Sequence, residues 1–230
     1  MTKVGTFTYY WRETRYLPLV LEQLDRAKVT SIVYRCAYPL YWNGVASPEP
    51  GANYTVNHTN DPHGTECLIN TCLSELEAAG CDVALWIDSD FLFTLNDFDR
   101  LVDHISASPP SWWRVEANHY WRSFNTTYAT TGFRIGVPTS QRWEGRFGFR
   151  HEPDDKPTVP NVLCHHPSWV LEPDEVRRKV NSWFHAPEFA KMDWPAKWFD
   201  GRADSEQVNL KVAEPLPDEL VARLTKAGAL

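Results

Sequence analysis

Long apolar runs are missing from this chain. No stretch approaches the roughly 18 consecutive apolar residues of a membrane-spanning helix, and the opening Met1-Thr2-Lys3-Val4-Gly5 lacks a long apolar run. The expectation is a cytoplasmic protein with no membrane span. Paired cysteine spacing is missing as well. The five cysteines (Cys36, Cys67, Cys72, Cys81, Cys164) are odd in number, and Cys67 and Cys72 stand five apart rather than three, so they read as reduced, mostly buried thiols. The sequons at Asn53, Asn57 and Asn125 matter only in a secretory compartment and are otherwise chance matches. Positive charge is in short supply: 23 Lys and Arg against 30 Asp and Glu leave a net charge of -7, which argues against a general electrostatic grip on nucleic acid or anionic lipid. Phosphate-cradling glycine loops are absent too, since neither G-x-x-x-x-G-K-[ST] nor a G-x-G-x-x-G after the first strand occurs. A bound diphosphate would therefore need a metal ion or basic side chains.

What is present reads as one α/β domain with a terminal extension, the default for 230 residues. Lys3 to Tyr9 is a β-rich run, followed by Leu17, Leu19, Val20, Leu21 and Leu24 at helical spacing. Lys28 to Tyr34 repeats the strand signal. Pro39, Asn43, Gly44, Pro48, Pro50 and Gly51 then predict a long loop to about Pro62. Thr65 to Ala79 predicts a helix closed by Gly80, and Val83 to Ile87 a buried strand of the parallel-sheet type. A helix from Asn96 stops before Pro109-Pro110. This alternation over residues 1–108 implies a mostly parallel central sheet flanked by helices, with ligands at the carboxyl ends of the strands. In residues 109–200, Trp112 to Phe124 and Thr131 to Val137 read as strands, Arg142 to Pro160 as loop, and Asp174 to His185 as helix. Residues 201–230 form a tail with a last helix near Asp218 to Ala227.

Asp88-Ser89-Asp90 carries the chemistry. Two carboxylates flanking one residue just past a buried strand can offer oxygens to a hard divalent cation, Mg²⁺ or Mn²⁺, which would neutralise a substrate diphosphate. The spacing alone is weak evidence, because Asp97-Phe98-Asp99 repeats it inside a predicted amphipathic helix. Position at a strand end is what separates the two; the competing reading is a solvated turn before a helix.

Four segments resemble glycosyltransferase family 2, whose members have the GT-A fold, and in particular its short bacterial and phage-like branches. They are VGTFTYYWRETRYLPLVLEQL, CDVALWIDSDFLFTLNDFDRLVDHI, FRIGVPTSQRWEGRFGFRHEP and HHPSWVLEPDEVRRKVNSWFHAPEF, in the family's order and lying within residues 4–190. The resemblance implies a GT-A domain over residues 1–200, divided into a nucleotide- and metal-binding half (1–108) and an acceptor-binding half (109–200). It implies metal ligands at Asp88, Asp90 and His166, a catalytic carboxylate at Glu152, donor contacts near Thr6, Tyr9, Asn70 and Ser89, and an inverting single displacement. Its donor would be a nucleotide-diphosphate sugar, with a UDP-sugar expected. The second strand departs from the family in ending Tyr34-Arg35-Cys36, without the acidic residue many relatives place against the base.

Other residues carry two readings each. His165 and His166 are adjacent on extended backbone, so only one would face a metal; the other role is packing. Lys179 would hold the departing diphosphate or belong to a solvated charged face. Glu116 is the reserve base, and His185 reads as structural. Trp112-Trp113 and His119-Tyr120-Trp121 form either an acceptor wall or core, core packing being the commoner use of such rings among the chain's eleven Trp. The acceptor hydroxyl would come from a glycan, a protein, a small molecule or a hydroxymethylated phage DNA base. Nucleic acid enters only as acceptor, through a local set of Arg114, Arg122, Arg134, Arg142, Arg146 and Arg150. The rival functions are a sugar-phosphate nucleotidyltransferase and a non-catalytic carbohydrate-binding protein.

Overall fold

Val4-Gly-Thr-Phe-Thr-Tyr-Tyr10 forms strand β1 (Val4–Tyr10), buried along nearly its whole length. Burial on both faces is why its sequence carries no charged residue. Pro18 in the first turn and the buried Leu17, Leu19, Val20 and Leu24 give helix α1 (Leu17–Ala27), which ends at Lys28 in the left-handed conformation. There follow β2 (Thr30–Cys36), β3 (Tyr54–Thr59), α2 (Thr65–Ala78), β4 (Val83–Trp86), α3 (Leu95–Ala107), β5 (Trp113–Trp121), β6 (Ser123–Pro138), β7 (Thr158–Trp169), α4 (Pro173–Ser182), β8 (Lys211–Val212) and a last helix α5 (Asp218–Lys226). The computed structural model describes residues 1–10, 15–36, 54–59, 65–144, 148–149, 151–182, 198–199 and 210–230.

The eight strands form one sheet in the order β3-β2-β1-β4-β6-β5-β7, with β8 paired to β6. Strands β3, β2, β1 and β4 are mutually parallel, and β6 runs antiparallel to both β4 and β8. The α/β class and the parallel half expected from the alternating pattern are therefore present. Three elements differ from the sequence reading. Strand β3 lies inside the stretch read as loop, because the neighbouring Pro48, Pro50 and Gly51 outweigh a six-residue β-rich signal. Strand β6 starts at Ser123, well before Thr131, and β7 extends as one strand through both histidines.

The described chain forms two compact units. One comprises residues 1–116, 132–164 and 217–230; the other comprises 117–131 and 165–216. They are discontinuous in sequence and do not follow the 108/109 division, since β5, β6 and β7 each pass from one unit to the other. The tail also divides. Helix α5 belongs to the first unit, where Leu220 and Leu224 are fully buried and Arg223 donates to the carbonyls of Leu19 (3.0 Å) and Phe93 (2.8 Å).

In the first unit one sheet face packs Phe7, Ala84 and Trp86 against Ile69, Cys72, Leu73 and Leu76 of α2. Gly5 permits this approach: a Cβ there would stand 2.7 Å from Leu76 Cδ2 and 2.9 Å from Cys81 Sγ. Gly80 closes α2 at φ 78°, as the sequence predicts. Helices α1 and α3 pack on each other, contributing the fully buried Val20, Leu24, Leu101 and Ile105. Each such side chain stabilises the fold by about 1.5–3 kcal/mol. Among the described residues no helix is long and apolar enough to cross a membrane.

Candidate functional site

The strand order reverses between β1 and β4: β1 leads to β2 and β3 on one side, and the chain then returns to lay β4 on the other. Such a reversal leaves a crevice at the carboxyl ends of the strands, where open α/β sheets bind ligands. Asp88-Ser89-Asp90 sits at that end of β4. Ile87 continues the pairing by donating to Phe7 O (2.9 Å), and the chain then turns, Phe91 N–H bonding back to Asp88 O at 2.9 Å. Asp88 is half-buried, and Ser89 and Asp90 are buried.

The segment around this turn is fastened from three elements. Thr8 of β1 donates its hydroxyl to Ile87 O. Gln23 of α1, fully buried, donates to Phe91 O (3.2 Å) and accepts from Phe93 N–H (2.9 Å). Arg223 of α5 reaches Phe93 O. On β7, burial holds the Cys164 thiol well above its ordinary pKa, reinforced by the negative charges of Asp90 and Asp88. By contrast, Asp97 and Asp99 are helix α3 residues. Thr94 caps that helix by accepting from Asp97 N–H, and the two carboxylates pair with Arg100 and Arg26. Identical spacing thus serves a helix start in one case and a strand-end turn in the other.

The Asp88 carboxylate accepts from the Trp86 indole N–H at 2.7 Å. The Trp86 ring in turn carries the Arg134 guanidinium, 5.1 Å from its centroid, and the same guanidinium lies 5.2 Å from Trp143 and 5.1 Å from Phe149. Arg134 donates to Glu152, whose other oxygen is 3.0 Å from Lys156 Nζ. Asp88 and Glu152, about sixty residues apart in sequence, are thereby joined through Trp86 and Arg134. Both Glu152 oxygens meet cations, so the carboxylate has a structural partner set of its own.

The remaining candidates are placed as follows. Tyr9 is half-buried, its ring 5.8 Å from Trp86. Thr6 is fully buried and donates to Ser31 Oγ at 2.6 Å. Asn70 binds the Trp143 backbone with both ends of its amide (3.0 and 2.7 Å), so it shapes the Trp143 loop. Glu116 is exposed on β5. Arg142 pairs with Glu77 as Arg134 does with Glu152, so these two are neutralised and do not form an open basic patch. Arg146, Arg150 and His185 lie outside the described residues, as does most of the long loop.

In the second unit, His165 and His166 do face different partners. His165 is buried, bonds the Tyr120 hydroxyl at 2.7 Å, and has its pKa lowered to about 4 by burial. His166 Nδ1 lies 3.1 Å from His119 Nδ1. Lys179 is buried, donating to Ser168 O (2.9 Å) and Ser168 Oγ (2.7 Å) with Trp169 beneath it. His119, Tyr120 and Trp121 are buried, as are Trp112 and Trp113 of the first unit, so these rings are core rather than an exposed acceptor wall.

Among the described residues no group of three His, Cys, Asp or Glu forms a ready metal cage. The donor set at the turn nevertheless fits one class of ion. Mg²⁺ and Mn²⁺ accept one or two carboxylates and complete their shell with water and substrate phosphate oxygens.

No protein-family model matches the chain, and no curated protein matches it. Similar solved structures include S. aureus TarS 1-349 (TM-score 0.45, 10% identity, covering 90% of this chain and 74% of that one) and the same fragment in complex with UDP-GlcNAc (TM-score 0.45, 9% identity, the same coverages). A longer S. aureus TarS structure gives a TM-score of 0.42 at 12% identity, covering 89% of this chain. The chain spans 44% of that longer protein.

Proposed function

We propose that this chain is a metal-dependent glycosyltransferase of the GT-A type that moves a sugar from a nucleotide-diphosphate sugar to an acceptor hydroxyl with inversion. One observation carries the reading: an acidic pair occupies a rigidly fastened turn at the carboxyl end of β4, where the strand order reverses. A divalent ion held there would stabilise the negative charge of the leaving diphosphate. Asp88 and Asp90 hold the ion, and Tyr9 and Ser89 border the donor. Glu152 is the candidate base that takes the acceptor proton, oriented by Arg134 and Lys156. The described cysteines, Cys72, Cys81 and Cys164, are free and buried, which supports a reducing, cytoplasmic setting.

The test is a panel of nucleotide sugars screened for Mn²⁺-dependent release of nucleoside diphosphate. It begins with UDP-GlcNAc, the ligand of one TarS structure. A parallel arm supplies UTP with sugar 1-phosphates and follows pyrophosphate release. Turnover in the first arm supports the reading, and turnover confined to the second makes the chain a nucleotidyltransferase. Sugar binding without metal and without turnover in either arm leaves only a carbohydrate-binding protein.

A further inference from the structure

Trp86 is the last residue of β4, and strand alternation places its ring on the α2 face beside Ala84. The ring is nearly buried and caged on several sides: Phe7 (5.6 Å), Tyr9 (5.8 Å) and Trp143 (5.6 Å) surround it, and the Arg134 guanidinium lies over it. Arg134 is itself held by a charge-assisted hydrogen bond to Glu152. A caged indole has one polar atom, a donor whose direction the ring fixes. That donor is aimed at Asp88 Oδ1, 2.7 Å away and two residues along the chain.

We propose that Trp86 is the positioning residue of the acidic pair: its indole N–H sets the rotation of the Asp88 carboxylate, and so the direction in which that carboxylate meets a divalent cation. This rests on the metal-binding reading above. A free aspartate rotates about its last bond, and fixing it in advance removes that entropy from the binding step. Partners that orient a ligating carboxylate are commonly worth 10–100-fold in metal affinity. The aromatic cage thus does more than fill space, since it keeps a hydrogen-bond donor pointed at a ligand.

The test is Trp86→Phe in the full chain, which keeps an aromatic ring in the cage and removes the N–H. Mn²⁺ alone is the probe, with free ion read by electron paramagnetic resonance and thermal unfolding as a fold control. The expected result is a 10–100-fold weaker Mn²⁺ affinity in W86F. Trp143→Phe, which alters a neighbouring ring of the same cage, should change it less than threefold. Equal losses in W86F and W143F, or a change below threefold in W86F while Asp88→Asn abolishes binding, overturns the positioning role. Unchanged affinity in D88N instead overturns the metal reading itself. Should W86F fail to fold, the wild-type chain decides: the ¹⁵N-indole resonance of Trp86 must shift on saturation with Mg²⁺ and must not do so in D88N. An indole resonance indifferent to Mg²⁺ refutes the proposal.

Discussion

Gln23 is a fully buried polar residue that fastens the chain just after the acidic pair, and Gln23→Met isolates its role. Methionine has similar length and no hydrogen-bonding amide, so the core volume is kept while two bonds vanish. The Phe91 carbonyl loses a bond of 3.2 Å and the Phe93 N–H one of 2.9 Å. An unsatisfied buried backbone group costs about 1–3 kcal/mol. Arg223 still donates to the Phe93 carbonyl but can do nothing for the Phe93 N–H. The expected loss is about 3 kcal/mol, which for a chain of this size lowers the melting temperature by roughly 6–12 °C. Urea unfolding followed by tryptophan fluorescence and by far-ultraviolet circular dichroism measures it. Hydrogen exchange adds a local reading: the Phe93 amide should exchange about 100-fold faster, since each 1.4 kcal/mol is about tenfold. If Q23M lies within about 0.5 kcal/mol of the parent and the Phe93 amide stays protected, the turn is held by something other than Gln23.

Asp88→Ala and Asp90→Ala should abolish divalent-dependent binding of UDP by calorimetry with the fold intact, whereas Asp97→Ala, a helix-start residue, should leave it unchanged. Adding His166→Ala to the same titration decides whether that imidazole is a ligand, and an unchanged affinity removes it. Glu152→Gln should lower turnover by roughly 10²- to 10⁴-fold with donor affinity within a few-fold. Near-normal turnover on the true acceptor would pass the base role to the exposed Glu116. His165, with its pKa lowered to about 4 from an ordinary 6.5, stays neutral when folded and gains a proton on unfolding. Its contribution is therefore fully present above about pH 6.5 and is lost as pH falls toward 4. That loss is about 3 kcal/mol at 1.36 kcal/mol per unit. His165→Gln should flatten the limb of the stability profile in that window, and an unaltered slope would refute the assignment.

The local elements were largely legible because their signals are local. Val83 to Trp86 is apolar since both faces of β4 are covered, and helix ends are marked by Pro18 through its fixed φ, by Thr94 through its side-chain oxygen and by Gly80 through its left-handed φ. The distinction between Asp88-Ser89-Asp90 and Asp97-Phe98-Asp99 was legible for the same reason, as one follows an apolar strand and the other carries helical periodicity. Strand β3 was hidden by flanking prolines and glycine. The long β6 was hidden because Thr126, Thr127, Thr130 and Thr131 show no simple apolar alternation on a strand whose exposure varies along its length.

Side-chain partners were another matter. Thr6, a candidate donor contact, is buried against Ser31, and the Trp and Tyr residues that suggested an acceptor wall are buried too. Nothing along the chain ties Arg134 to Glu152, Trp86 and Trp143, or Gln23 to the residues after the acidic pair. Those pairings arise only when β6 is laid beside β4 and α1 is packed across the sheet, which brings together residues separated by tens of positions. By itself the sequence determined periodicity, breakers and the acidic pair at a strand end, because each depends on neighbours a few residues away. Tertiary structure alone decided which polar groups are buried, which charges are already spent on partners and which donor aims at Asp88, because those depend on side chains that meet only across the fold.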